Sequence, residues 1–337
     1  MKSRKANIVK ALVLFSGGLD SLLAAKILEK QGIDVTALTF VSYFFDAEQA
    51  KKSAVANEIK LRIEHFPEKH LKIVKNPCYG YGAGMNPCID CHLLMLKQAK
   101  ILARDGKYDF IATGEVLGQR PMSQNREALK LIEKKAGLSG KILRPLSAKA
   151  LPITQMEKSS LVERSKLFGF RGRSRKPQME LADKYAIKKY PSPAGGCILT
   201  DKEYSKKLQE LLKNIKSVKP NDIKLLRIGR HFWIHPVRKS NVLEIKNVLL
   251  KDKRSKKIAE PKLSNGVKVI LGRNHEENLA LKKLAEKGDI LLELKDIPGP
   301  LALIRGKDKI KAVELAKEKL VKYAKKLKNK KPAFRFL

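Results

Sequence analysis

Acidic residues are in short supply in this 337-residue chain: 34 Asp and Glu stand against 72 Lys and Arg, a formal net charge of +38. Self-repulsion on that scale weakens a compact fold and points to a polyanionic partner, nucleic acid first among them. A lysine-rich thermophile surface would balance its lysines with glutamate, and this chain does not. Long apolar runs are also missing. None nears the roughly 18–20 residues of a membrane span, so no membrane association is expected. The opening MKSRKANIVK is basic but lacks the apolar core and cleavage site of a signal peptide, and a cytoplasmic location is expected. There is no internal repeat, and cysteine occurs only four times. Hydrophobic residues nevertheless make up 43% of the chain, enough to bury real cores. The length suits two or three domains of about 100–200 residues each.

What is present is an alternation of short β-branched runs and helical patterns through the first 145 residues. Strands are predicted at 11–15, 34–40, 72–75 and 110–113. Helices are predicted at 21–31, 46–59, 88–104 and 124–133, and again after Pro152. Such alternation predicts a parallel sheet covered on both faces, with ligands beyond the C-terminal strand ends. Two polar stretches, FSGGLDS (Phe15–Ser21) and TGE (Thr113–Glu115), fall at such ends. The basic run RGRSRK (Arg171–Lys176) and Pro191–Pro193 mark a junction. Beyond it come a helix at 204–215, strand-like runs at 224–228, 232–234, 267–271 and 290–294, a helix at 276–287, and a basic helix at 310–328. The fold class expected is α/β: a Rossmann-like parallel-sheet domain over 1–175, a connecting segment over 176–216 and a smaller basic α+β module over 217–337.

In FSGGLDS, Gly17 and Gly18 permit positive φ and close approach of the backbone to a ligand. The amides there and at the following helix start make an anion site, to which Ser16 and Ser21 add hydroxyls. The stretch is not a G-x-x-x-x-G-K-[ST] loop, because it is shorter and has no lysine. Asp20 would be repelled by phosphates unless it bound Mg²⁺ or organised the loop.

The cysteines are Cys78, Cys88, Cys91 and Cys197. In NPCIDC, Cys88 and Cys91 begin a helix and share a face, and the helix-end amides should favour their thiolates. Cys197 follows the glycines of SPAGGCILT. Several chemistries are open to such a set. They are a structural zinc with Cys78 or His92 as fourth ligand, a redox pair, a persulfide resolved by a second cysteine, unliganded buried thiols, or a [4Fe–4S] cluster with one iron unligated.

The S-G-G-L-D-S run resembles the signature loop of the PP-loop ATP pyrophosphatase superfamily, whose members cleave ATP at the α-phosphate. TGEVLGQRPMSQ (Thr113–Gln124) and LRPL (Leu143–Leu146) are similar to stretches of 4-thiouridine-forming tRNA sulfurtransferases. NPCIDC and GGCILT look closer to the 2-thiouridylase branch. The C-terminal LLRIGRHFWI and VILGRNHEEN resemble the RNA-binding domain of NFACT proteins. These resemblances imply a tRNA uridine thiolase using ATP, Mg²⁺ and a [4Fe–4S] cluster, in which adenylation of a uracil carbonyl is followed by sulfur transfer. They favour 4-thiouridine at position 8 over wobble 2-thiouridine. ATP would lie against Phe15, Ser16, Gly17, Gly18, Asp20, Ser21 and Thr39, with Gly114, Glu115 and Gln119 lining the nucleotide or base pocket. Asp20, Cys88, Cys91 and Cys197 would be catalytic, and the three cysteines would hold the cluster. Lys97, Arg120 and Arg144 are candidates to neutralise phosphate charge. Arg227, Arg230, His231, Arg238 and Arg273 would contact RNA, and Trp233 would either stack on RNA or sit in a core. The partners implied are tRNA and a sulfur donor, with a homodimer as one assembly. Only 15 residues precede Ser16, so the RNA-binding module that such sulfurtransferases carry ahead of the loop is not expected. Two other readings are a PP-loop amidotransferase or ligase acting on a small molecule, and an RNA-binding protein with a vestigial loop.

Overall fold

The computed structural model describes residues 8–187, 190–191, 197–234, 266–307, 309–324, 326–327 and 331–337. The chain divides into two compact units, Met1–Asp201 and Lys202–Leu337.

The first unit is built on a five-stranded parallel sheet in the order β3-β2-β1-β4-β5. Its strands are β1 (Lys10–Leu14), β2 (Asp34–Val41), β3 (Lys60–His65), β4 (Phe110–Thr113) and β5 (Ile142–Leu143). Helices α1 (Leu19–Glu29), α2 (Glu48–Ala56), α3 (Pro67–Lys75), α4 (Cys88–Asp105), α5 (Arg126–Ala136), α6 (Gln155–Lys158) and α7 (Lys176–Lys184) connect and cover it. The run KALVL explains the position of β1. Ala11 and Val13 join α1 and α7 in one apolar core, while Leu12 points into the other core with Leu96 and Leu102 of α4. Burial of successive side chains on opposite faces is what a central parallel strand requires. Strand order reverses about β1, so the ends of β1 and β4 flank a crevice of the kind such sheets use for ligands.

Two expectations needed correction here. Residues 72–75 are not a strand but the last turn of α3, whose buried His70, Leu71 and Val74 recur at helical spacing. The third strand is instead Lys60–His65, a sheet-edge strand whose alternating charges leave it only half buried.

The second unit carries an antiparallel sheet in the order β10-β8-β9-β7-β6. The strands are β6 (Arg230–Ile234), β7 (Val267–Leu271), β8 (Ile290–Leu294), β9 (Leu301–Arg305) and β10 (Phe334–Phe336). Helix α11 (Ile310–Tyr323) buries Ala312, Ala316 and Leu320 against one face, with Val267, Val269 and Leu271 of β7. Ile270 points to the other face, beneath α9 (Pro220–Leu225) and α10 (His275–Leu284); α8 (Lys202–Asn214) precedes them. The strand expected at 224–228 is the end of α9 and the turn after it. Pro220 opens that helix, and the Asp222 carboxylate accepts from the Lys219 amide at 2.9 Å. Among the described residues no helix is long and apolar enough to cross a membrane.

Candidate functional site

The crevice at the ends of β1, β2 and β4 holds a pocket of about 400 Å³. Its first wall is the glycine loop. The Phe15 amide donates to the Leu38 carbonyl at 2.8 Å, and Thr39 Oγ1 donates to the Phe15 carbonyl at 2.6 Å, so the loop leaves the sheet at a fixed point. Gly17 has φ +76°, and a Cβ there would stand 2.6 Å from the Gln49 carbonyl oxygen. Only glycine fits that turn. Gly18 precedes α1, and no side chain caps the helix start. Its first-turn amides are therefore available to an anion. Ser21 Oγ donates to the Gly18 carbonyl at 2.9 Å and lies 3.4 Å from Ser16 Oγ.

The second wall is Thr113–Glu115. A Cβ on Gly114 would lie 2.6 Å from the Asp20 backbone, so this glycine lets the end of β4 press directly onto the start of α1. Glu115 is buried and accepts from Arg144 Nε at 2.9 Å, Thr113 Oγ1 at 3.0 Å and His92 Nδ1 at 2.8 Å. Burial opposes its ionisation, but the Arg144 charge and the His92 hydrogen bond outweigh that and hold its pKa down at about 2. Arg144 also pairs with Glu133. Asp20 Oδ2 accepts from Gln119 Nε2 at 2.9 Å and lies 3.5 Å from the Arg175 guanidinium. Asp20 Oδ1 is buried with no hydrogen-bond partner among the described residues.

The third wall is sulfur. Cys88 opens α4, Cys91 follows one turn on, and Cys197 precedes a short 3₁₀ turn whose Leu199 carbonyl accepts from the Met85 amide at 2.9 Å. That bond and the burial of Leu199 bring a remote segment to the start of α4, and all three cysteines line the pocket. The helix start was expected to favour thiolates. Burial prevails instead, raising the pKa of Cys88 and, with the charges of Cys197, Cys88 and Asp90, that of Cys91. Cys91 Sγ lies 2.7 Å from Nε2 of His70, a fully buried imidazole that burial keeps neutral, its pKa lowered to about 4. Cys78 is exposed and lines no part of the pocket; its amide and that of Tyr79 donate to the two Asp90 carboxylate oxygens. None of the four cysteines forms a disulfide among the described residues. Among the described residues no three or more His, Cys, Asp or Glu side chains are spaced for a single metal ion.

Of the residues expected at the nucleotide, Phe15, Ser16, Asp20, Ser21, Thr39, Gly114 and Glu115 line the pocket. Gly17 and Gly18 shape the loop without lining the pocket, and Gln119 reaches Asp20 instead. Of the cations, Arg120 lines the pocket. Arg144 is engaged in its buried ion pairs, and Lys97 sits on the solvent face of α4. Arg175 was missed: RGRSRK read only as a junction, although a basic run before the Pro177-led helix was a usable signal.

In the second unit, Arg230 stacks over the Tyr323 ring at 4.5 Å, and Arg273 binds Glu277. Arg227 is exposed. His231 donates through Nε2 to the Ile228 carbonyl at 2.7 Å. Burial, reinforced by Lys268 and Lys207, lowers its pKa to about 3, so it brings no positive charge to a phosphate. Trp233 pairs with the buried Lys268 across β6 and β7. Arg238 lies outside the described residues.

Residues 7–181 match the family model described as thiamine biosynthesis protein (ThiI), and residues 262–335 match the NFACT protein RNA binding domain. The chain is 34% identical over 146 residues to a probable tRNA sulfurtransferase of Thermoanaerobacter sp. (strain X514), covering 41% of this chain and 36% of that protein. It is 30% identical over 169 residues to a probable tRNA sulfurtransferase of Geobacillus kaustophilus, covering 48% of this chain and 38% of that one. The chain thus spans well under half the length of these curated relatives. Among solved structures it is similar to a predicted tRNA methyltransferase subunit from Methanocaldococcus jannaschii, with TM-score 0.36 and 21% identity, covering 52% of this chain and 76% of that one. It is also similar to a 4-thiouridine synthetase in complex with RNA and ATP, with TM-score 0.34 and 24% identity, covering 47% and 40%.

Proposed function

Because this chain belongs to the ThiI family, matching its model over residues 7–181, we propose that it is a tRNA sulfurtransferase that adenylates a uracil carbonyl and replaces its oxygen with sulfur. One observation carries the reading: Ser16, Asp20 and Ser21 of the glycine loop line a single pocket with the neighbouring Cys88 and Cys91 and the remote Cys197. A net charge of +38 and a C-terminal match to an RNA-binding domain support an RNA substrate.

The α1 amides and the Ser16 and Ser21 hydroxyls hold the departing pyrophosphate of ATP, and Arg120 neutralises charge that develops there. The uracil oxygen attacks the α-phosphorus, pyrophosphate leaves, and the base loses its N3 proton. Hydrosulfide then adds to the activated carbon and the C–O bond breaks with its electrons going to AMP. A C=S bond forms, and the sulfhydryl proton returns to N3. On the likeness of Thr113–Gln119 to T-G-E-x-L-G-Q, the proposed product is 4-thiouridine at position 8.

Two groups fit these residues. The unpartnered Asp20 Oδ1 is a hard oxygen donor suited to Mg²⁺ beside the phosphates. The three thiols form an all-sulfur, soft donor set, and a cubane cluster takes its thiolates at separate corners, wider apart than the ligands of one ion. A [4Fe–4S] cluster held by Cys88, Cys91 and Cys197 would supply an open iron for sulfide.

The test is mass spectrometry of nucleosides from tRNA incubated with ATP, sulfide and anaerobically prepared protein. Thiouridine should form, and it should vanish in Cys88→Ala, Cys91→Ala and Cys197→Ala but persist in Cys78→Ala. Product at C2 would reassign the oxygen. ATP turnover with no thionucleoside from any tRNA would overturn the reading, as would full activity in Cys197→Ala.

A further inference from the structure

A second pocket, of about 500 Å³, opens at the opposite end of α1 from the glycine loop. It is lined by four segments: the end of α1 with Lys30 and Gln31, Lys149, the stretch from Ser165 to Gly169, and the end of α7 with Lys184 and Tyr185. Four lysines, Lys30, Lys149, Lys166 and Lys184, line it, and no carboxylate does. Lys166 is paired with Glu163 at 2.6 Å, but the other three have no carboxylate partner among the described residues. Two of these three ammonium groups are held in place. Lys30 Nζ lies 4.5 Å over the Tyr185 ring, and Lys149 Nζ donates to the Ser165 carbonyl at 2.7 Å. Gln31 Oε1 accepts from the Glu163 amide at 2.9 Å, which fixes its side chain; its Nε2 is buried and has no partner among the described residues.

A concavity lined by four lysines, two of them held in place and one paired with Glu163 at its edge, and by no carboxylate is complementary to a phosphodiester. We propose that this pocket binds the backbone of the RNA substrate, as a second contact remote from the reaction. The proposal rests on the reading of the chain as an RNA-modifying enzyme. Helix α1 has 11 residues, so about 16 Å separate the two pockets along it. Helix α1 is largely buried, so RNA joining the two pockets runs round the surface, and at 3.4 Å per nucleotide about five nucleotides is the least that spans them. A nucleotide held at the catalytic pocket and a backbone phosphate several residues away would then be gripped together, fixing which uridine is presented.

The test measures binding of a transcribed tRNA to the full chain across a salt series. Lys149→Ala with Lys184→Ala should weaken binding roughly tenfold and make the slope of log K against log salt shallower by about 2. Lys130→Ala with Lys134→Ala, two exposed lysines of α5, removes the same charge elsewhere and should change the slope by less than half as much. Ultraviolet crosslinking to the same tRNA should place a nucleotide adduct on Tyr185 or a flanking peptide. Equal effects of the two double variants would overturn the site, since they would show only diffuse charge. Competition by inorganic phosphate or free ATP at concentrations that leave the rest of the tRNA contact intact would make it a small-anion site and overturn it too. Thiolation of the same tRNA by the unsubstituted chain separates the two proposals: a failed RNA effect with thiolation intact removes only this site, whereas absent thiolation with the RNA effect intact removes only the proposed chemistry.

Discussion

Arg144 Nε and Glu115 Oε2 meet at 2.9 Å inside the first unit, with both side chains almost wholly out of solvent. The carboxylate's other oxygen accepts from His92, the residue after Cys91, so the ion pair ties the cysteine helix to the end of β4. Removing one partner of a buried pair leaves an uncompensated charge. Arg144→Met is expected to destabilise the first unit by about 3 kcal/mol, read as a lower urea midpoint. A loss below about 1 kcal/mol would show that His92 and Thr113 suffice for Glu115.

The same carboxylate sets an acid limit. Its pKa is about 2 folded against 4.5 ordinarily, so the unfolded chain binds its proton first as pH falls. The stability it contributes is complete above pH 4.5 and is lost progressively toward pH 2. Denaturant titrations at several pH values should show that decline, and it should be shallower in Glu115→Gln.

Gly17→Ala and Gly114→Ala test the loop. Each would force a Cβ to within 2.6 Å of backbone atoms, and at Gly17 on a positive φ as well. Both should cut ATP affinity about tenfold or more, measured by calorimetry. Gly140→Ala also sits at positive φ, but a Cβ there would meet nothing within 4 Å, so ATP affinity should hold.

Lys268 gives the opposite sign of pH dependence. Burial lowers its pKa from 10.5 to about 7, and its Nζ has no hydrogen-bond partner among the described residues. From pH 7 to 10.5 the unfolded chain holds a proton that the folded one lacks, so this residue makes stability rise with pH across that window. Lys268→Met should stabilise the second unit by about 1–3 kcal/mol near neutrality and flatten the rise. A destabilised variant would mean that the contact of the ammonium with the Trp233 ring outweighs the cost of burying it.

Much of this was legible in the chain. The β-branched run before FSGGLDS and the TGE at the next buried strand placed two walls of the pocket, because hydrophobic period and glycine position are local signals. Lys60–His65 was missed since an edge strand with alternating charges carries little apolar pattern. Strands β9 and β10 were also missed, although LALIR is a short apolar run of the kind that pattern alone does not separate from a helix. Long-range pairing hid the rest. The acid partners of Arg144 lie 29 and 11 residues before it, Arg175 lies far from Asp20, and the depth at which the thiols sit depends on packing that no spacing rule reports.

The pocket is lined from Leu14 to Cys197, almost the whole span of the first unit. Its last wall therefore closes only when the final residues of that unit dock, and a nucleotide bound there stabilises the unit as a whole rather than any one segment. A protease-resistance assay with and without ATP would report this directly: protection should extend to cleavage sites near Cys197, far along the chain from the loop that grips the phosphates.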